Sequence, residues 1–107
     1  MIIVNIAVDY TRTPGGRFAS EGKYSGEDFR EKVLKPKFLE SLQDNEGLTV
    51  ILDGGYGYAT SFLEEAFGGL AREFMNEKLK EIIIISEEEP PLIAKVKQYI
   101  EDALKQR

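Results

Sequence analysis

Three short apolar runs alternate with longer stretches of helical period. Residues 2–8 are mostly β-branched, interrupted by Asn5, and predict a strand. Residues 48–53 predict a second strand. Residues 82–86 predict a third, and its four consecutive isoleucines imply burial on both faces. Between the first two runs, residues 25–42 bring Phe29, Val33, Leu34, Phe38, Leu39 and Leu42 onto one helical face. Ser25 is the expected cap, with Asp28 three residues on as in a capping box. Pro36 falls inside this helix and predicts a kink or a break, since it lacks an N–H and crowds the preceding turn. Residues 61–76 predict another helix through Leu63, Ala66, Phe67, Leu70 and Phe74. Gly68 and Gly69 lie inside it, each about 1 kcal/mol worse than alanine there. Such a pair implies close approach of another element, or a partner surface. A last helix over residues 90–105 follows Leu92, Ile93, Val96, Tyr99, Ile100, Ala103 and Leu104. Glu87–Glu89 precede it, and Lys105 and Arg107 end it, as the helix dipole favours.

Residues 9–24 lack either period. Their Pro-Gly-Gly signal predicts a long loop, or a loop with a short strand around residues 17–20 that pairs with the first. Strands alternating with helices predict an α/β fold, a small mixed, mostly parallel sheet of about four strands with helices packed on it. A length of 107 residues suits a single domain spanning residues 1–107.

Composition narrows the chemistry more than the fold. A net charge of −5 argues against nucleic acid as a partner, and Arg12, Arg17 and Lys23 form the one candidate basic cluster. The chain has no cysteine and no histidine. Thiol and imidazole nucleophiles, Ser-His triads and ordinary Cys/His zinc sites are therefore excluded. The sequence opens without a secretory leader, and its apolar runs fall short of the roughly 18 residues of a membrane span. A cytoplasmic protein without membrane contact is expected.

The remaining candidate chemistry gathers in residues 53–65, DGGYGYATSFLEE. Ser61 stands three residues before Glu64 and predicts a helix cap. The same helix start follows the carboxyl end of a parallel strand, where backbone N–H groups favour anions, so a phosphoryl group on Ser61 or Thr60 is the functional alternative. The Gly-Gly-Tyr-Gly-Tyr run lacks nucleotide-binding spacing. Tyr56 and Tyr58 are either contact residues at a loop tip or covers for the sheet edge. Asp9 and Asp53 end strands, and with Glu64 or Glu65 they are the residue types that hold magnesium. No full metal signature follows either, so neither metal nor cofactor is expected.

The segment VILDGGYGYATSFLEEAFGGL resembles the central strand, loop and helix of STAS domains, the fold of bacterial anti-anti-sigma factors. In those proteins an Asp-Ser-Ser-Gly-Leu motif opens the helix, and a partner kinase phosphorylates its second serine. The matching positions are Ala59, Thr60, Ser61, Phe62 and Leu63. Ser61 is retained, while Ala59 replaces the aspartate and Phe62 the glycine. The chain is more similar still to a STAS-like family of unassigned function. It shares that family's Pro-Gly-Gly-Arg turn (residues 14–17), Tyr-Ser-Gly-Glu helix start (24–27) and Ser-Phe-Leu-Glu-Glu-Ala-Phe-Gly-Gly-Leu segment (61–70). The resemblance covers roughly residues 12–86. It implies a non-enzymatic regulatory protein-interaction module of the bacterial or phage cytoplasm. Such a module binds a kinase-type ATPase or similar switch partner, under phosphorylation control at Ser61 or Thr60. Arg17, Lys23, Asp53, Gly55, Tyr56, Tyr58, Phe62 and Glu65 are the expected partner or anion-binding surface. Two other readings stand beside it. One is a small-molecule or nucleotide-binding domain, or a minor phosphotransfer enzyme, that uses the Ser61 helix start and Arg17. The other is a self-associating scaffold, a homodimer joined through Phe62 and the tyrosines.

Overall fold

The computed structural model describes residues 1–106, so Arg107, expected at the end of the last helix, lies outside the described residues. Three strands form the sheet among the described residues: β1 (Ile2–Asn5), β2 (Leu48–Ile51) and β3 (Ile83–Ile85). They lie in the order β1-β2-β3 and every pairing is parallel. The sheet is therefore one strand smaller than the sequence predicts, and parallel throughout rather than mixed. Two local causes account for this. The Asn5 side chain accepts the Val8 N–H at 3.2 Å and caps a helical turn, Ile6–Asp9, which cuts the first run short. Residues 17–20 form no strand, because the chain there closes into a 3₁₀ turn, Ala19–Glu21, with Glu21 accepting the Phe18 N–H.

Helical stretches at residues 26–44 and 60–74 connect the strands, and Pro91–Leu104 follows β3. Each connection steps to the next strand in the same direction. Right-handed crossovers of that kind put their helices on one face of the sheet. Burial follows this geometry. The row Val4–Val50–Ile84 is buried beneath the helices, while Ile3 and Ile83, in the next row with Thr49, stand 57% and 45% exposed. The isoleucine run is thus covered on one face, not on both.

Ser25 caps its helix as its position predicts, with Oγ accepting the Asp28 N–H at 3.0 Å. The helix continues through Pro36 without a break. A wider π turn, closed by the Lys35 N–H on the Arg30 carbonyl, immediately precedes Pro36 and relieves the crowding of its ring. Residues 60–74 contain a second π turn, where the Gly69 N–H reaches the Glu64 carbonyl. The two π turns pack against each other. Among the described residues, no helix is long and apolar enough to cross a membrane.

Candidate functional site

The loop after β2 is short and well tied. The Asp53 carboxylate accepts the backbone N–H groups of Glu87 and Glu88 at 3.0 and 2.9 Å, which fastens this loop to the one after β3. The Gly54 N–H donates to the Glu88 carboxylate at 2.8 Å, and the Tyr56 N–H to the Arg12 carbonyl at 2.9 Å. Gly55 is half-buried against that same Arg12 carbonyl. The Tyr58 hydroxyl donates to the Leu52 carbonyl at 2.8 Å, and its ring lies 5.7 Å from that of Phe62. Burial, reinforced by the charges of Asp53 and Glu88, raises the Tyr58 hydroxyl well above its ordinary pKa and keeps it a donor. The two tyrosines therefore divide the readings between them. Tyr58 covers the core, and Tyr56 stands 85% exposed at the loop tip.

The helix start differs from its sequence pattern. The extended capping residue is Ala59, so Thr60 and Ser61 already lie in the first turn. The Phe62 and Leu63 N–H groups bond to the Ala59 carbonyl, and Ser61 does not cap the helix. Thr60 is exposed and Ser61 half-buried. Neither hydroxyl makes a hydrogen bond among the described residues.

Two expected surface residues lie inside. Phe62 is wholly buried, stacked on Phe29 with ring centroids 5.8 Å apart. Gly26 explains the fit, since a Cβ there would collide with the Phe62 carbonyl. Phe62 therefore contributes to neither a partner surface nor a dimer contact. Glu65 is buried as well. Its Oε2 accepts from Arg30 Nη1 at 2.5 Å and its Oε1 from Arg17 Nη1 at 3.2 Å. Arg30 Nη1 also donates to the Glu65 carbonyl at 2.8 Å.

Glu64 extends this network, accepting from Arg17 at 2.5 Å and from Arg72 at 2.7 Å. The hydrogen bond to Arg72, with that to Arg17, holds the Glu64 carboxyl below the usual glutamate range, and the three guanidiniums are held more firmly protonated. Arg17 is thus paired with two carboxylates and does not stand open to an anion. Lys23 is exposed and makes no side-chain hydrogen bond or ion pair among the described residues.

Sequence reasoning missed Arg30 and Arg72. The available signal was Gly68-Gly69. A Cβ at Gly69 would collide with the Arg30 guanidinium, and one at Gly68 with the Glu64 carboxylate. The glycines make room for the ion network, which is their packing reason.

The suggested magnesium carboxylates are dispersed into other work. Asp9 accepts the Asn5 N–H at 2.8 Å, Asp53 holds the neighbouring loop, and Glu64 and Glu65 hold arginines. Among the described residues, no group of three or more carboxylates stands where it could hold one metal ion. The crevice beside Tyr58, lined by Asp53, Ser86, Glu88 and Glu89 among others, has a volume of about 20 Å³. That is room for about one water molecule.

A family model described as a STAS-like domain of unknown function matches residues 25–92. No curated protein and no solved structure matches the chain.

Proposed function

The chain belongs to this STAS-like domain family, and on that premise we propose that it is a non-enzymatic protein-interaction module whose contact face is the rim at residues 54–61. The observation that carries this reading is Tyr56, 85% exposed on a loop held by backbone bonds at Gly54 and Tyr56. A stiff aromatic presented on a fixed backbone loses little entropy on binding and is a frequent anchor of protein interfaces. The partner is a kinase-type ATPase or a similar switch protein, as the STAS resemblance implies.

The free hydroxyls of Ser61 and Thr60 adjoin that anchor and are the switch positions. Ser61 precedes Glu64 and Glu65 by three and four residues, so all three share one helix face. A phosphate on Ser61 adds about 1.5–2 negative charges beside those two carboxylates. It would compete for Arg17 and repel an acidic or apolar partner. The nucleotide-binding reading gains no support from Arg17, which is already paired, or from a crevice of about 20 Å³ with acidic walls.

The test is affinity capture with wild type, Tyr56→Ala and Ser61→Asp, each checked for native thermal unfolding. A protein held by wild type and lost at least about tenfold with Tyr56→Ala supports the face. Equal capture by all three removes the 54–61 rim as the contact and Ser61 as the switch. Phosphopeptide mapping of the chain purified from its own cells reads the modification directly.

A further inference from the structure

The two edges of the sheet are treated differently. Along β1 the backbone groups point alternately to either side. The Ile2 N–H bonds to the Gly47 carbonyl at 2.9 Å, so Ile2 and Val4 serve the ladder with β2, and Ile3 and Asn5 turn their N–H groups outward. The Asn5 N–H is taken by the Asp9 carboxylate at 2.8 Å. The N–H and C=O of Ile3 have no partner among the described residues. At the β3 edge a lysine blunts the sheet, as is common, with Lys97 Nζ on the Ile82 carbonyl at 3.4 Å. Beside Ile3 lies instead an open groove of about 310 Å³, between β1 and the helical stretch at residues 26–44. Val4, Val33 and Pro36 supply its apolar lining, and Lys32, Lys37 and Asp9 its charges.

We propose that this edge takes an extended segment of a partner protein as an added strand beside β1, with an apolar side chain in the groove and carboxylates against the two lysines. The backbone selects an extended occupant. An outward N–H and C=O on one residue exchange hydrogen bonds with another extended chain, whereas a helix has used these groups internally. The groove selects the side chains. Those of an added strand alternate between the two faces of the sheet, so every second one points to the helix-covered side, where Val4, Val33 and Pro36 receive it. Its neighbours lie beside the exposed Ile3 on the open face. Charge selects an acidic segment, since the groove sets two lysines against one aspartate in a chain of net −5. Asp9 is engaged by the Asn5 N–H. Lys32 and Lys37 hold only solvent-facing ion pairs, to Asp28 at 3.1 Å and to Glu40 at 3.7 Å, of a kind that contributes little and exchanges readily. The turn at Ile6–Asp9 ends β1 and limits the pairing to a few residues, so the contact is weak. It shares no residue with the 54–61 rim and stands independently of that reading.

The probe is the peptide acetyl-Glu-Val-Thr-Val-Thr-Val-Glu-amide, titrated into the isotope-labelled full chain to about 5 mM, which covers millimolar affinities. Saturable amide shifts centred on Ile3 and on residues 32–37 are expected. The analogue with lysine at both ends should bind at least about tenfold more weakly. Ile3→Pro removes the outward N–H and leaves the ladder bonds of Ile2 and Val4 in place, as an edge strand permits. It should weaken binding at least about tenfold. A comparison that leaves the chain unaltered decides the case should Ile3→Pro fail to fold. N-methylation of alternate peptide residues removes the donors along one edge of the peptide. One of the two alternate sets should abolish binding and the other should leave it. The proposal is overturned by absence of binding at the highest concentration, by shifts centred elsewhere, by equal behaviour of the two methylated sets, or by equal affinity for the two charge forms.

Discussion

Both faces of the sheet carry mainly β-branched side chains, yet they have opposite surroundings. Val4, Val50 and Ile84 lie sealed under helices, while Ile3 and Ile83, one residue along the same strands, reach solvent. Residue type does not separate the two faces. Topology does, since two crossovers stepping in one direction supply helices to one side. The covered side holds the fold together, and the exposed isoleucines of the other side contribute little to it. Substitutions on the two sides should therefore differ in how much stability they cost.

The largest expected effect lies over the covered face. Phe62→Ala removes a wholly buried ring stacked on Phe29, and should cost about 3–5 kcal/mol by chemical denaturation. Ile3→Ala deletes an aliphatic side chain from the open face and should cost well under about 1 kcal/mol in dilute solution. Equal losses from the two substitutions would break the contrast between the faces.

The next effect belongs to the ion network between the two π turns. Glu65→Ala leaves the largely buried Arg30 guanidinium, whose side chain is 13% exposed, with only the more exposed Glu31 as its carboxylate partner, and should cost about 3 kcal/mol. Thermal unfolding compared with Arg30→Met/Glu65→Met separates an unpaired charge from lost packing. The double variant should recover much of the loss, because neither charge is then left buried alone.

How much of this was legible in the sequence depends on how local each cause is. The three strands, the Ser25 cap and the helical faces follow from short-range pattern and are present, except that Leu39, expected on the apolar face, stands exposed. The Asn5 turn was missed because an Asx cap and a polar interruption of a strand look alike in sequence. The Ser61 pattern places the cap two residues late, since Ala59 takes the extended conformation although its side chain cannot cap. Phe62 reads as a surface residue in sequence because the room for it is made elsewhere, at Gly26. Arg30, Glu65 and Arg72 come from two separate helices, and no spacing rule joins them. Gly68-Gly69 marked the place of that network without naming its members.

A third, smaller effect is a slope in pH. The Tyr10 hydroxyl bond to Asp28 at 2.5 Å and the Arg72 bond to Glu64 are the leading causes that hold both carboxyls below their ordinary values. The unfolded chain then binds these protons first, so the stabilisation is present above the unfolded values of about 3.9 and 4.3. It is lost as pH falls through the folded values beneath them. Unfolding measured from about pH 6 down to about pH 3 should show this decline. Glu64→Gln and Tyr10→Phe should each flatten it. An unchanged slope in both variants would remove the two carboxyls as its source.

The smallest effect is the one that most sharpens the contrast between the faces. Ile83→Thr keeps a β-branched residue on an edge strand, so the strand preference hardly changes. Ile83 is 45% exposed, and the unfolding free energy of this variant should match wild type within about 0.5 kcal/mol. Ile84→Thr makes the same exchange one residue along, at a side chain buried under the helices, and should cost about 1–3 kcal/mol because a hydroxyl is then buried there. Chemical denaturation of the two variants side by side reads the faces directly, and equal losses would mean that the helices do not separate them.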